Sequence, residues 1–325
     1  MAGLGAVVIG RNEGDRFVRC LRSLVGKVNP IVYVDSGSTD GSIEVAKSRG
    51  VEVVDLDTSI PFTAARARNA GYERLRAIAP ATELVMFVDG DCEVDEQWFP
   101  AATTFLAQSE QYGVVCGRRR ERFPEASVYN YLCDFEWDTP IGDAKACGGD
   151  AIMRVNAFDS VGGFNPMLIA GEEPELCVRL RAAGWKIRRI DQEMTLHDAD
   201  MTRFSQWWMR AVRSGHAFAE GAAMHGDSEE RHFVRESRRA VLWGLVLPAV
   251  ALGGAPFTRG ASLGLALLYP LSATRTALRL RREGVERPWA TAAFMVLSKF
   301  PETQGWLRYH RNRRRGKRST LIEYK

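Results

Sequence analysis

Short apolar runs that end in polar, glycine-containing loops recur along the first part of the chain. They extend over Leu4 to Ile9, Pro30 to Val34, Val51 to Val54 and Leu84 to Val88. Apolar residues at helical spacing follow the first run, and a second helix is expected near Ser42 to Arg49. Strands that alternate with helices predict an α/β fold with a parallel sheet, whose ligands bind beyond the carboxyl ends of the strands.

Two carboxylates one residue apart follow the fourth run, in the sequence Asp89-Gly90-Asp91. Alternate residues of an extended chain point the same way, so both carboxylates can face one cleft. Hard anionic oxygens at this place suit Mn²⁺ or Mg²⁺, which would itself carry phosphate oxygens. The pattern therefore favours a nucleotide-diphosphate substrate, although acidic turns after strands are also common without a ligand.

Five segments in order along the first 220 or so residues resemble those of the family 2 glycosyltransferases. They are Arg11-Asn12-Glu13, Asp35 to Asp40, Ala67 to Gly71, Asp89-Gly90-Asp91 and Gly171 to Leu176. The resemblance implies a GT-A fold, a Rossmann-like and mostly parallel sheet with flanking helices. It also implies transfer of a sugar from a nucleotide-diphosphate sugar with inversion at the anomeric carbon.

The predicted nucleotide-binding residues are those of the polar loops and of the Ala-rich segment around residue 68. They are Arg11, Asn12, Glu13, Asp35, Ser36, Arg66, Arg68, Asn69, Asp89 and Gly90. An alternative role for Asp35 is to shape a Ser/Gly turn ahead of the next helix, and both roles are compatible. The residue pattern leaves open whether Arg66 or Arg68 points inward.

Inverting transfer is a single displacement, so one carboxylate must take the proton of the acceptor hydroxyl. The family places this base at the second residue of an acidic pair, which corresponds to Glu173. Here a glutamate replaces the family's usual aspartate, so Glu172 remains a rival and Glu175 a more distant one. Acidic residues would also favour the amino end of a helix predicted over Pro174 to Ala183 without any catalytic role.

His197 follows the apolar-polar run Ile190 to Leu196, which is typical of an edge strand. A lone histidine is more often a packed or surface residue than a ligand. By similarity to the family, His197 completes the metal site with Asp91.

Composition and charge indicate a second kind of region beyond residue 226. The chain has 325 residues, a net charge of +4 and six cysteines without metal-binding spacing, which indicates reduced thiols. We expect a glycosyltransferase domain over 1–226 and a helical, membrane-associating region over 227–325. The latter holds an apolar helical hairpin over Ala240–Gly254 and Ala261–Ala273, each shorter than the roughly 20 residues of a spanning helix.

Arginines flank this predicted hairpin on both sides, and a basic tail follows from Arg308 onward. That pattern favours attachment to the cytoplasmic face of a bacterial inner membrane, through either a re-entrant hairpin or two short spans. The tail suits anionic lipid or pyrophosphate-linked lipid, and no nucleic-acid-binding motif accompanies it.

The sequence thus predicts a metal-assisted, inverting glycosyltransferase with a glycan or lipid-linked acceptor. Two alternatives remain open: a nucleotidyltransferase of similar fold, and a membrane scaffold that binds a nucleotide sugar without turnover.

Overall fold

The computed structural model describes residues 3–317 and 319–323, so Arg318 of the basic tail lies outside the described residues. The chain divides into two compact units between Asp200 and Met201. The sequence placed a boundary at Gly226 instead. The difference arises because the helix over Phe204–His225 packs with the helices that follow it and belongs to the second unit.

The first unit is built on one sheet, with nine strands among the described residues. The strands are β1 (Leu4–Gly10), β2 (Ile31–Asp35), β3 (Glu52–Asp55), β4 (Leu84–Asp89), β5 (Cys92–Val94), β6 (Tyr112–Glu121), β7 (Gly142–Asp143), β8 (Ala151–Arg154) and β9 (Lys186–His197). Their order is β3-β2-β1-β4-β8-β6-β9-β5, and β7 pairs with β9. The four strands predicted from the apolar runs are confirmed as β1 to β4.

Helices of the first unit connect these strands. They are α1 (Asp15–Leu24), α2 (Ser42–Ser48), α3 (Ala64–Ile78), α4 (Trp98–Ala107), α5 (Val128–Trp137), α6 (Val155–Ser160) and α7 (Glu172–Ala182). Strands β1, β2 and β4 are buried along nearly their whole length, as expected of parallel strands covered on both faces.

The sheet is mixed. Strands β1 to β4 pair in parallel, as do β6 and β9, whereas β8 runs antiparallel to both β4 and β6, and β9 is antiparallel to β5 and β7. The expectation that β9 is an edge strand was wrong, since it lies between β6 and β5. Its polar residues alternate with apolar ones because β5 and β7 cover only parts of β9 and the pairing with β6 is irregular. The apolar pattern alone does not show that these neighbours exist.

The second unit is helical. Its α-helices are α8 (Phe204–His225), α9 (Val234–Val241), α10 (Leu247–Gly254), α11 (Leu268–Arg282), α12 (Pro288–Leu297) and α13 (Lys299–Arg314). A π-helical turn over Leu242–Val246 joins α9 to α10, and a 3₁₀ helix over Ala261–Leu267 leads into α11. Across residues 3–317 and 319–323, no helix combines the length and the apolar character needed to cross a membrane.

Candidate active site

The loops that follow β1, β2 and β4 meet at the carboxyl ends of these strands. The amide of Ser36 donates to the Gly10 carbonyl at 3.2 Å, and the amide of Gly90 donates to the Ile9 carbonyl at 2.8 Å. Asn12 lies between the first two loops, accepting from the Thr39 amide at 2.7 Å. The sequence-predicted loops are therefore adjacent in space.

The remaining predicted residues of these loops differ in exposure. Arg11 is exposed, whereas Ser36 is buried and its hydroxyl has no hydrogen-bond partner within the described ranges. Glu13 pairs with Arg16 at 2.9 Å and lies close to Gly90, where a Cβ would approach the Ile9 carbonyl oxygen to 3.1 Å. Backbone at this position therefore packs tightly only because residue 90 is a glycine.

Asp35 is fully buried at the end of β2. Its Oδ2 accepts from the amides of Gly37 and Ser38 at 2.9 and 2.8 Å, and its Oδ1 accepts from the Tyr33 hydroxyl at 2.8 Å. The turn-shaping alternative is thus realised in the structure. Binding of the nucleotide by Asp35 stays a prediction.

The two arginines of α3 have different surroundings. Arg66 donates to the backbone carbonyls of Asp57, Ile60 and Pro61, at 2.8, 2.7 and 3.0 Å, and closes the preceding loop. Arg68 is 3% exposed and points inward. Its Nη2 contacts Asp89 Oδ1 at 2.8 Å and its Nη1 contacts Glu172 Oε1 at 2.8 Å.

Asn69 does not face the strand ends. Its side-chain amide donates to the Phe164 carbonyl at 2.7 Å and its Oδ1 accepts from the Phe164 amide at 3.0 Å. Both polar atoms are therefore engaged with the backbone of the turn that precedes α7. The structure gives Asn69 a positioning role, and its predicted contact with the nucleotide remains untested.

Asp89 lies in a network of buried charges. Besides Arg68, its carboxylate contacts Arg119 at 3.4 Å, and its amide donates to Asp150 Oδ1 at 3.1 Å. Burial alone would raise the pKa of Asp89, but Arg68 and Arg119 outweigh it and hold the pKa below its usual range. Asp89 is thus ionised and forms ion pairs with two arginines.

Asp91 and His197 are brought together by strand pairing, because Cys92 at the start of β5 lies opposite His197 at the end of β9. His197 Nε2 is 3.3 Å from Asp91 Oδ1, and both side chains are buried. One carboxylate oxygen and one imidazole nitrogen suit Mn²⁺, with the other coordination positions left to phosphate oxygens and water. The Cys92 thiol is also near, but a soft sulfur ligand suits Mn²⁺ or Mg²⁺ less well than carboxylate and water oxygens do.

The predicted base candidates open α7, where Glu172 and Glu173 are both buried. Glu172 is paired with Arg68. Glu173 Oε1 accepts from the Cys147 amide at 2.5 Å and from the Cys177 thiol at 3.0 Å. Burial, assisted by the neighbouring charge of Glu172, raises the pKa of Glu173 despite these hydrogen bonds. The more distant candidate, Glu175, pairs with Arg179 at 2.7 Å.

Sequence reasoning missed two members of this site, Arg119 and Asp150. Arg119 contacts Asp150 Oδ2 at 3.5 Å and lies over the Trp137 ring at 4.8 Å. Asp150 is fully buried and also accepts from the Thr195 hydroxyl at 2.8 Å. The available signals were the arginine run that ends β6 and the aspartate directly after a double glycine.

Glu121 is a third residue that the sequence did not single out. It lies opposite His197 in the β6–β9 pairing, and its Oε2 is 3.7 Å from His197 Nδ1. The Glu121 side chain is fully buried and also accepts from the Ala199 amide at 3.0 Å. At 3.7 Å this is an electrostatic contact rather than a hydrogen bond, and it lies on the side of the ring opposite Nε2, which faces Asp91.

Residues 6–156 match the family model described as Glycosyl transferase family 2. The match lies within the first unit and takes in just under half of the 325 residues, so it marks a similarity to that family over these residues. The curated relative succinoglycan biosynthesis protein ExoA of Rhizobium meliloti is 26% identical over 197 residues. That match covers 56% of this chain and 58% of the relative, so the chain spans less than two thirds of the relative's length.

Solved structures resemble the whole chain more extensively. One is the mannosyltransferase PcManGT from Pyrobaculum calidifontis in complex with GDP-Man and Mn²⁺, with a TM-score of 0.62, 20% identity, and coverage of 94% of this chain and 87% of that one. Another is S. aureus TarS 1-349, with a TM-score of 0.55, 15% identity and 90% coverage of each chain. These likenesses show a shared fold, and the mixed α/β sheet with flanking helices agrees with the expected GT-A fold.

The first prediction concerns the stability of this network. Arg68→Met should lower the free energy of unfolding by about 3 to 5 kcal/mol, because Asp89 and Glu172 would lose a buried partner. Urea unfolding followed by circular dichroism measures the change. Arg66→Met, two residues away on the same helix, is the control and should cost clearly less. Equal losses in the two variants would contradict the structural role assigned to Arg68.

Proposed function

We propose that this protein moves a sugar from a nucleotide-diphosphate sugar to a hydroxyl acceptor, by a metal-assisted single displacement that inverts the anomeric carbon. The observation that carries the proposal is the convergence of Asp91 and His197, 3.3 Å apart, beside the pair of Arg68 and Asp89 at the carboxyl ends of the strands. A parallel sheet binds its ligands at this edge.

The donor half of the site is supported by its donor atoms and by its charge. Asp91 and His197 would hold Mn²⁺ or Mg²⁺, which supplies charge neutralisation on the leaving diphosphate when bound. Arg68 is a buried cation and Arg119 a partly buried one beside this position, and their guanidinium groups already contact Asp89. The base and ribose are assigned to the loops after β1 and β2, which carry the exposed Arg11 and the buried Ser36.

Glu173 is proposed as the base. Its pKa is raised by burial, which makes the ionised carboxylate a stronger proton acceptor than an ordinary glutamate. Glu172 is the weaker candidate because Arg68 already neutralises its charge at 2.8 Å. The Cys147 amide and the Cys177 thiol fix the position of the Glu173 carboxylate. A lipid-linked or glycan hydroxyl is the acceptor in this proposal.

Neither alternative has comparable support. A nucleotidyltransferase needs a cationic first loop to hold a triphosphate, whereas the loop after β1 carries Glu13 paired with Arg16. A scaffold without turnover requires no base, yet a buried carboxylate with a raised pKa is present at Glu173.

The donor site is tested by Asp91→Asn, which keeps the side-chain shape and removes its charge. We expect the Mn²⁺-dependent part of the affinity for UDP or GDP to fall at least about tenfold, because a carboxylate ligand is lost. Isothermal titration calorimetry with each nucleotide, with and without Mn²⁺, measures it. Glu93→Gln, which removes a charge that pairs with Arg122 just after β6, is the control. Unchanged metal-dependent affinity in Asp91→Asn would refute the metal assignment.

The base is tested by Glu173→Gln. The amide keeps the shape but cannot take a proton, so turnover should fall about 100-fold or more while donor binding is retained. Glu172→Gln should lose less turnover. Protonation of Glu173 removes the base, so activity of the unmodified protein should be lost as the pH falls. Because burial raises the Glu173 pKa, this loss should occur at a higher pH than the titration of an ordinary glutamate. A larger loss in Glu172→Gln than in Glu173→Gln would transfer the role of base to Glu172.

We also propose that the second unit attaches the protein to the cytoplasmic face of the bacterial inner membrane. Large apolar side chains are exposed on its surface, with Leu252, Phe257, Leu267 and Leu271 between 64% and 89% accessible. Arginines accompany them on α9 and α11. Exposed apolar residues beside cationic ones fit an anionic lipid surface.

Vesicle sedimentation of the full-length protein tests this attachment. Replacing Phe257 and Leu267 with serine should weaken binding to phosphatidylcholine–phosphatidylglycerol vesicles at least about tenfold, since each apolar side chain buried in lipid contributes roughly 1.5 to 3 kcal/mol. The matched control is Ile141→Ser, which removes an apolar side chain that is 55% exposed in the first unit. Failure of the unmodified protein to sediment with these vesicles would refute the proposal.

A further inference from the structure

A cavity of about 690 Å³ lies within the second unit. Helices α8 and α13, the π-helical turn and the chain after α13 contribute its walls. This cavity belongs to no part of the site described above. Its size is within the range of pockets that bind small organic ligands.

One part of the cavity wall is apolar. Met209 and Val212 come from α8, Leu245 comes from the π-helical turn, and Phe300 and Leu307 come from α13. Leu245 and Leu307 are 38% and 44% exposed, so water contacts them in the absence of a ligand. An apolar chain bound here would remove that surface from water, which is favourable in proportion to the area covered.

The other part of the wall is cationic. Arg308, Arg311 and Lys317 line the cavity, and none of its lining residues is an aspartate or glutamate. Arg308 donates to the Thr320 hydroxyl at 3.3 Å. In the described ranges, no carboxylate forms an ion pair with these three side chains. Three cations without a protein counter-ion favour an anionic ligand group, and guanidinium groups match the oxygens of a phosphate.

The cavity is held open by close packing of its surroundings. A Cβ at Gly215 or Gly305 would overlap backbone atoms of the opposite helix, so α8 and α13 approach closely only because both residues are glycines. The chain after α13 is anchored by Ser319, which contacts His216 Nε2 at 2.8 Å, and by Ile322, which is 1% exposed. The π-helical turn also contributes Gly244 and Leu245, and such turns often occur at functional sites.

We infer that this cavity binds a lipid phosphate, with the phosphate against Arg308, Arg311 and Lys317 and the proximal hydrocarbon chain against Leu245 and Leu307. The phosphate matches the cationic part of the wall, and the hydrocarbon chain matches the apolar part. A phosphate alone or a hydrocarbon alone would match only one of the two parts. The role of this ligand as the carrier of the acceptor rests on the proposed sugar transfer. Its binding to the cavity can be tested separately, because binding requires no donor, no metal and no base.

Calorimetry on the full-length protein, without nucleotide or metal, tests the inference. Geranyl phosphate is the probe, since it combines a phosphate with a short chain. Inorganic phosphate and geraniol each supply one half of it. We expect geranyl phosphate to bind more than about tenfold tighter than either, because it adds a charge-assisted contact to apolar burial. Equal affinity for inorganic phosphate or for geraniol, or no binding of geranyl phosphate, would overturn the inference.

Variants separate the cavity from the general basic character of α13. The double variant Arg311→Ala with Lys317→Ala should weaken geranyl phosphate binding about tenfold. Arg314→Ala removes one cationic side chain of α13 that lies outside the cavity, and it should leave geranyl phosphate binding unchanged. Leu307→Ser should weaken geranyl phosphate but not inorganic phosphate. An equal effect of Arg314→Ala would contradict the site.

A loss of Mn²⁺-dependent UDP or GDP binding concerns the donor site only, so the two proposals can fail separately.

Discussion

The buried guanidinium of Arg68 is the interaction on which the rest of the site depends. Helix α3 carries it between the end of β4 and the start of α7, where it holds Asp89 and Glu172 at 2.8 Å each. Glu172 is 104 residues away from Arg68 along the chain. Burial alone would lower the pKa of Arg68, but the two carboxylates reverse this effect and raise it. Since a buried charge without a partner is costly, the strand ends and the helix that carries the base candidates are fixed relative to each other.

This arrangement leaves the centre of the site with more acids than cations. Four carboxylates, those of Asp89, Asp91, Asp150 and Glu172, lie near the two guanidinium groups of Arg68 and Arg119. Asp89 and Glu172 contact Arg68 directly, whereas Asp91 contacts His197. The excess of negative charge favours a divalent cation there, and the same arginines would attract the phosphate groups that such a cation carries. Glu173 has no arginine partner in this network, and burial raises its pKa although the hydrogen bonds from Cys147 and Cys177 act in the opposite direction.

The sequence predicted the strand ends correctly because apolar runs mark buried parallel strands and their polar loops mark the ligand edge. It could not decide between Arg66 and Arg68, since both lie on one helix and only tertiary packing shows which side is buried. It also missed Arg119 and the mixed sheet, because β8 and β9 pair with strands that are distant in sequence. Asp91 and His197 were paired by resemblance alone. Their physical link is the β5–β9 register, which sequence patterns do not specify.

Electron spin-echo envelope spectroscopy of Mn²⁺ bound to the full-length protein with UDP or GDP tests the central claim most directly, because it detects nuclei adjacent to the metal. The account predicts coupling to phosphorus of the diphosphate and to one imidazole nitrogen in the same complex. The nitrogen coupling should disappear in His197→Ala. Phosphorus coupling without any nitrogen coupling in the unmodified protein would contradict the account, since the metal would then be held without His197.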